Sequence, residues 1–157
     1  VLLVAGGMSV GERDFGKSVL EALGVRRVFW KVAQKPGKPL YFGVRGKQLV
    51  FGLPGNPAAV VTCFAAYVLP ALRALSGEAA AKPWRVRLAQ ALPATGDKAL
   101  LLKAQVDGEG PSARVRVLSG QGSHLLRSLA EGNALLLRRE GEGALRRGQK
   151  VEVLPLD

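Results

Sequence analysis

A chain of 157 residues at 48% hydrophobic content has enough apolar material for one ordinary domain or two small ones, which excludes a disordered tail. Twenty-three Lys and Arg against twelve Asp and Glu leave a net charge of +11, a balance that favours anionic partners: nucleic acid, acidic membrane, or phosphorylated and oxyanionic small molecules. The single cysteine, Cys63, excludes an intrachain disulfide and any cysteine-built metal centre. It stands in an apolar run, where a buried inert thiol is expected, and with no signal-peptide pattern at Val1–Ala5 the cytoplasm fits best. The charge is spread out: residues 1–78 carry ten basic and four acidic residues, and 79–157 carry thirteen and eight. Nine scattered aromatics make no stacking platform, so nucleic acid is not expected as a partner.

In chain order, Val1 to Ala5 is a β-favouring apolar run halted by Gly6-Gly7, the pattern of a buried parallel strand. Such a strand needs neighbours that this sequence does not contain, so the chain reads as the C-terminal part of a larger protein. Gly6 to Gly11 leads into a helix with Phe15, Val19, Leu20 and Leu23 on one face and Gly24 as its stop. Backbone N–H groups at such a turn can cradle phosphate. Asp14 stands about where the helix begins and reads either as its N-cap or as a carboxylate facing an anion through Mg²⁺, with Glu12 as a second oxygen ligand.

Val25 to Val32 reads as the next strand, with Phe29 and Trp30 on opposite faces and Lys31 at its end. Lys31-Val32-Ala33-Gln34-Lys35-Pro36-Gly37-Lys38-Pro39 sets three lysines on backbone stiffened by two prolines, the form a fixed anion clamp would take, although an isolated loop of this kind is commonly a solvated turn. Leu40–Val44 and Gln48–Leu53, joined at Arg45-Gly46, read as a hairpin bringing this loop toward Pro54-Gly55-Asn56-Pro57. Asn56 then caps, and Pro57 opens, a long helix to about Ser76. Its run Pro57 to Leu72 is apolar almost all round, falls short of the roughly 20 residues of a bilayer span, and reads as a core or dimer-interface helix. No membrane is expected as a partner.

The texture changes near Gly77–Pro83. Residues 1–78 are expected to form an α/β domain, 79–83 a linker, and 84–157 a small all-β, barrel-like domain with strands at 84–88, 100–106, 113–118, 134–138 and 150–154. Leu125 to Ala130 reads as one or two helical turns. The arginines alternating with Val and Leu read as the solvated face of strands. With one histidine, His124, neither a zinc site nor a Ser-His-Asp triad has the residues it needs.

Gly6-Gly7-Met8-Ser9-Val10-Gly11-Glu12-Arg13-Asp14, then Phe29-Trp30-Lys31 with Lys35-Pro36-Gly37-Lys38-Pro39, then Gly52-Leu53-Pro54-Gly55-Asn56-Pro57, in this order and spacing, resemble the MoeA-type molybdopterin molybdenumtransferases. Gln121-Gly122-Ser123-His124 is similar to the short motif of that family's C-terminal β domain. The resemblance implies a partial three-layer molybdopterin-binding α/β domain followed by the β domain. It also implies insertion of molybdate into adenylylated molybdopterin with release of AMP and with Mg²⁺ present. The fragment alone is then expected to be inactive, and the intact protein to be a cytoplasmic homodimer that meets a molybdopterin adenylyltransferase. Carried over by motif, Asp14, Lys31 and Lys35 are the catalytic candidates, and Asp14 and Glu12 the metal ligands. Gly6, Gly7, Ser9, Gly11, Lys38, Pro54, Gly55, Asn56, Pro57 and Ser123 are the substrate-binding candidates. Lys98 and Lys103 stand where the family more usually has arginine, and Ala59 where many members have serine.

These residue types suit the implied chemistry. Molybdate is a dianion and the pterin partner carries phosphates, so bringing the two together in a dry cleft calls for cations. Lysine ammoniums are point charges with rotating donors, well matched to a tetrahedral oxyanion. The glycine motif alone also resembles the related molybdopterin adenylyltransferases, from which the segment 35–57 and the β domain set this chain apart. A pterin-binding scaffold without catalysis is the reading from another class.

Overall fold

The computed structural model describes residues 1–9, 14–79, 83–122 and 130–156. They form two compact units, one of Val1–Val32 with Pro36–Ala80 and the other of Ala33–Lys35 with Ala81–Asp157.

In the first unit, β1 (Leu2–Ala5), β2 (Arg26–Trp30), β4 (Tyr41–Arg45) and β5 (Gln48–Leu53) make a sheet in the order β1-β5-β4-β2. The β1–β5 pair is parallel and the other two pairs are antiparallel. Helix α1 (Gly16–Ala22) follows the glycine turn. Its face of the sheet buries Met8, Leu20, Val25, Tyr41 and Val50. The opposite face buries Leu40, Phe51, Leu53, Cys63 and Val68 against the helical segment from Pro57. Trp30 joins the first cluster and Phe29 the second, as strand alternation requires. The β4–β5 turn is Gly46-Lys47, one residue later than expected, and Gly46 has φ 57°, the positive value that the first position of a type II′ hairpin demands.

Among the described residues β1 has one strand neighbour, β5, and Val1, Leu2 and Leu3 are exposed, in line with a strand short of neighbours. Two expectations are corrected here. Asp14 is not the helix cap, because α1 starts at Gly16 with Phe15 in the cap position and no side-chain cap bond. Of the proposed apolar face only Leu20 is buried, while Phe15, Val19 and Leu23 are each more than half exposed, at 63%, 51% and 55%. The long helix is real but broken into α2 (Pro57–Cys63), a π-helical turn at Phe64–Val68, and α3 (Leu69–Leu75). Pro70 explains the break: lacking an N–H, it cannot bond the carbonyl one turn back, and the wider turn relieves the ring clash. The segment 57–75 is long and apolar enough to cross a bilayer by length and composition alone, and a third of its apolar window is buried in the fold (33%).

In the second unit, β6 (Trp84–Leu88), β7 (Ala99–Asp107), β8 (Arg114–Val117), β9 (Ala134–Arg138) and β10 (Lys150–Pro155) close through β7–β9 into a five-stranded barrel. Strand alternation fills its interior with Val86, Leu88, Ala104, Val106, Val115, Leu136, Val151 and Val153. Arg85, Arg87, Arg114 and Arg116 are exposed, as expected. Arg138 is not. Its side chain is 1% exposed, its Nε is 2.9 Å from Glu142 Oε2, and it also donates to the carbonyls of Pro93 and Gly143. The two-residue β3 (Gln34–Lys35) lies parallel to the start of β7, with Gln34 opposite Ala99 and Lys35 opposite Leu100. The predicted turns at 125–130 fall almost wholly outside the described residues.

Candidate functional site

Register in the first unit brings most of the predicted residues to one edge of its sheet. Ala5 lies beside Leu53, Gly52 opposite Tyr41, and Tyr41 opposite Trp30. The loop after β1, the loop after β5, the approach to β4 and the residue after β2 therefore emerge together. Gly6 donates its N–H to Leu53 O at 3.0 Å, and a Cβ built on Gly55 would sit 3.6 Å from Gly6 Cα. The two glycine loops are in backbone contact, and Gly6 and Gly7 both have positive φ, 88° and 68°. A side chain at either would strain the turn.

Beyond β5, Asn56 caps α2 as expected, its Oδ1 accepting from Ala58 N at 3.1 Å and Ala59 N at 3.4 Å, with Pro57 at the first helical position. Pro54 is buried, which fixes the wall that this loop presents. The expectation for the other loop changes. The amide of Gly16 that opens α1 is already bonded to Gly7 O at 2.9 Å, so it is not a spare donor for an anion.

Lys31 leaves β2 with φ 69°, the one non-glycine residue in the left-handed region among those described. Such a conformation costs about 1 kcal/mol or more and persists where its surroundings enforce it. Here its N–H donates to Leu40 O at 2.9 Å and Val32 N–H donates to Lys38 O at 2.9 Å, which ties Lys31 and Lys38 across one short bridge. Its ammonium stands 4.2 Å from the Trp30 ring centroid, and that of Lys17 stands 4.5 Å from the same ring. The indole Nε1–H of Trp30 donates to Met8 O at 2.9 Å. One aromatic side chain thus links the glycine turn, the helix after it and the lysine segment.

The structure assembles Gly6, Gly7, Ser9, Lys31, Lys38, Pro54, Gly55, Asn56 and Pro57 at this edge. It does not assemble the three lysines on one unit. Lys35 belongs to β3, whose backbone continues the barrel sheet, and Gln34 beside it is only 3% exposed. The segment expected to be a single clamp is two pieces because strand pairing with β7 satisfies the backbone at 34–35. Asp14 is half-buried and takes part in a polar or electrostatic interaction. Gly11, Glu12 and Ser123 lie outside the described residues. No group of three acidic, histidine or cysteine side chains at metal-ligand range occurs among the described residues.

Of the two lysines standing where arginine is expected, Lys98 ion-pairs with Asp97 at 3.7 Å. Lys103 is buried and donates to Gly122 O at 3.1 Å, and burial lowers its pKa. It holds the barrel unit together rather than facing solvent. The Cys63 thiol is buried and pushed up to about 12 by desolvation, which makes it inert as expected. Lys17 and the anchoring role of Trp30 were missed. The signal for Lys17 was its place two residues into a helix start, where a cation opposes the helix dipole unless something anionic compensates.

A sheet edge of this kind, with a glycine turn, a proline-walled helix start and lysines around it, falls in the class of molybdopterin-binding α/β domains. Residues 1–74 match the family model described as a probable molybdopterin binding domain, and residues 85–156 match that of the MoeA C-terminal region, domain IV. The molybdopterin molybdenumtransferase of Haemophilus influenzae is 31% identical over the whole chain, and gephyrin of Dictyostelium discoideum is 32% identical over 98% of it. The crystal structure of a molybdopterin biosynthesis MoeA protein from Pyrococcus horikoshii superposes on all of the chain with a TM-score of 0.74 at 30% identity. The chain belongs to the MoeA family. It spans 40% of the length of the Haemophilus relative and 37% of the Pyrococcus chain.

Proposed function

We propose that this chain forms part of a molybdopterin molybdenumtransferase that inserts molybdate into adenylylated molybdopterin and releases AMP. The observation that carries this reading is the convergence of Gly6-Gly7, Lys31, Lys38 and Pro54-Gly55-Asn56 on one sheet edge, where cations stand beside glycine backbone. Lys31 and Lys38 offset the repulsion between molybdate and the pterin phosphates. The glycine turn leaves room for the phosphate oxygens. Mg²⁺, when bound, would be held by acidic side chains after the glycine turn and would offset negative charge on the substrates. Among the described residues Asp14 is the acidic group nearest the turn in sequence, and a single carboxylate with substrate phosphates is a common Mg²⁺ arrangement, with Glu12 as the second candidate. The protein works in the cytoplasm as a homodimer, a reading supported by the exposed apolar residues Val61 and Leu75 of the long helix, and receives its substrate from an adenylyltransferase.

The test is molybdate-dependent AMP release by a protein of the relatives' full length that carries this chain, compared with Lys31→Ala and Lys38→Ala. Each loss is expected to lower AMP release by about tenfold or more, the scale of removing one electrostatic contact from the reacting centre. Unchanged release in both variants would return the lysine segment to a solvated turn.

A further inference from the structure

The barrel unit holds a cleft of about 770 Å³, and the residues that line it include none of the site candidates named above. Its floor is Val86, Val106 and Ala113, and Trp84 stands over it, 47% exposed. The cleft exists because the parallel ladder between β6 and β8 is only two residues long, Arg87 with Arg114 and Leu88 with Val115. Arg87 N–H reaches Ala113 O and Ala89 N–H reaches Val115 O, so the backbone groups of odd-numbered β6 residues face β8. Arg85 is the next in that series. The chain facing it has turned away into the 3₁₀ turn Gly110–Ser112, so the ladder stops and the strand edge opens onto the cleft.

Three features select the occupant. An open strand edge is completed by an extended chain, not by a helix or a rigid ring. Among the described residues Arg85, Arg87 and Lys150 line the cleft with one acid, Glu109, which favours negative charge. Of the two arginines, Arg85 is held by Glu152 at 3.2 Å and Arg87 by the Gly148 carbonyl at 3.2 Å, which leaves Lys150 the more available cation. A tryptophan left half exposed beside an apolar floor is the kind of surface that anchors one large apolar side chain.

We propose that this cleft is a docking site for an extended acidic segment of a partner protein, which adds as a short strand beside β6 at Arg85 and seats one apolar side chain under Trp84. A single aromatic and a floor of small aliphatic groups do not suit successive nucleobases, which need several stacking faces.

The test titrates the whole chain with the acetylated and amidated pentapeptide Glu-Leu-Glu-Phe-Glu, read by calorimetry and by amide chemical shifts. Saturable binding is expected, with shifts at Arg85 and Gly108–Gly110. Trp84→Ala should weaken it by about thirtyfold, the loss typical of an aromatic anchor. Methylating alternate backbone nitrogens of the peptide should weaken it comparably, and Lys150→Glu should weaken it without touching the apolar core, which keeps the test decisive if Trp84→Ala fails to fold. Absence of binding, affinity indifferent to both Lys150→Glu and backbone methylation, or tighter competition by an oligodeoxythymidine would overturn the proposal.

Discussion

Trp30→Phe tests whether one indole organises the sheet edge. The substitution keeps an aromatic ring in the β2 position but deletes the Nε1–H that now donates to Met8 O at 2.9 Å. Met8 is 1% exposed, so its carbonyl loses its indole partner in a site with little access to water. That loss is worth about 1–2 kcal/mol. Phenylalanine is also the weaker partner for the ammoniums of Lys17 and Lys31, now 4.5 and 4.2 Å from the ring centroid, which adds a few tenths of a kcal/mol for each. The sum is about 2 kcal/mol, or roughly thirtyfold in the folding equilibrium. Urea denaturation gives this as a shift in midpoint at constant slope, and hydrogen exchange at Gly16 N–H, which is bonded to Gly7 O, gives it locally. Trp84→Phe, at an exposed position, serves as the reference and should cost less than about 0.5 kcal/mol. Equal midpoints for the two variants, with unchanged exchange at Gly16, would refute the anchoring role.

Gly52→Ala places a Cβ 2.5 Å from Met8 Sδ, so the buried methionine must move, and an overpacking loss of about 1–3 kcal/mol should appear in thermal unfolding. Tyr41→Phe should be neutral or stabilising by up to about 1 kcal/mol, because the Tyr41 hydroxyl is fully buried with no hydrogen-bond partner among the described residues. Cys63 carries a pH signature. Its folded pKa of about 12 lies above the unfolded value of 9.0, so the stability it contributes is intact below pH 9 and is lost as pH rises from 9 toward 12. Denaturation midpoints of the wild type should therefore fall more steeply across that window than those of Cys63→Val; parallel profiles would contradict the burial of the thiol.

Much of the architecture was legible because the local signals agree with the final packing. The apolar run at 134–138 and the alternation at 150–154 place barrel strands within a residue, and Asn56-Pro57 marks a helix start by chemistry that needs no tertiary information. The lysine segment was legible as a cluster but not in its division, because the pairing of Gln34–Lys35 with β7 is a contact across more than sixty residues that no local pattern announces. The π turn at Phe64–Val68 was encoded in Pro70 but reads in sequence only as a tolerated proline. Periodicity misled at α1. Phe15, Val19 and Leu23 share the right spacing for a buried face, yet spacing defines a stripe without supplying the surface that covers it. Lys17 is harder still, since its meaning depends on the Trp30 ring, which comes from another strand.

The most direct measurement is anomalous diffraction from crystals of a full-length protein carrying this chain, soaked in tungstate as the molybdate analogue. A tungsten peak within hydrogen-bond reach of Lys31 or Lys38 and beside the Gly6-Gly7 turn is the predicted result. A peak elsewhere, with these ammoniums and the Pro54-Gly55 loop untouched, would contradict the assignment of this sheet edge to oxyanion chemistry.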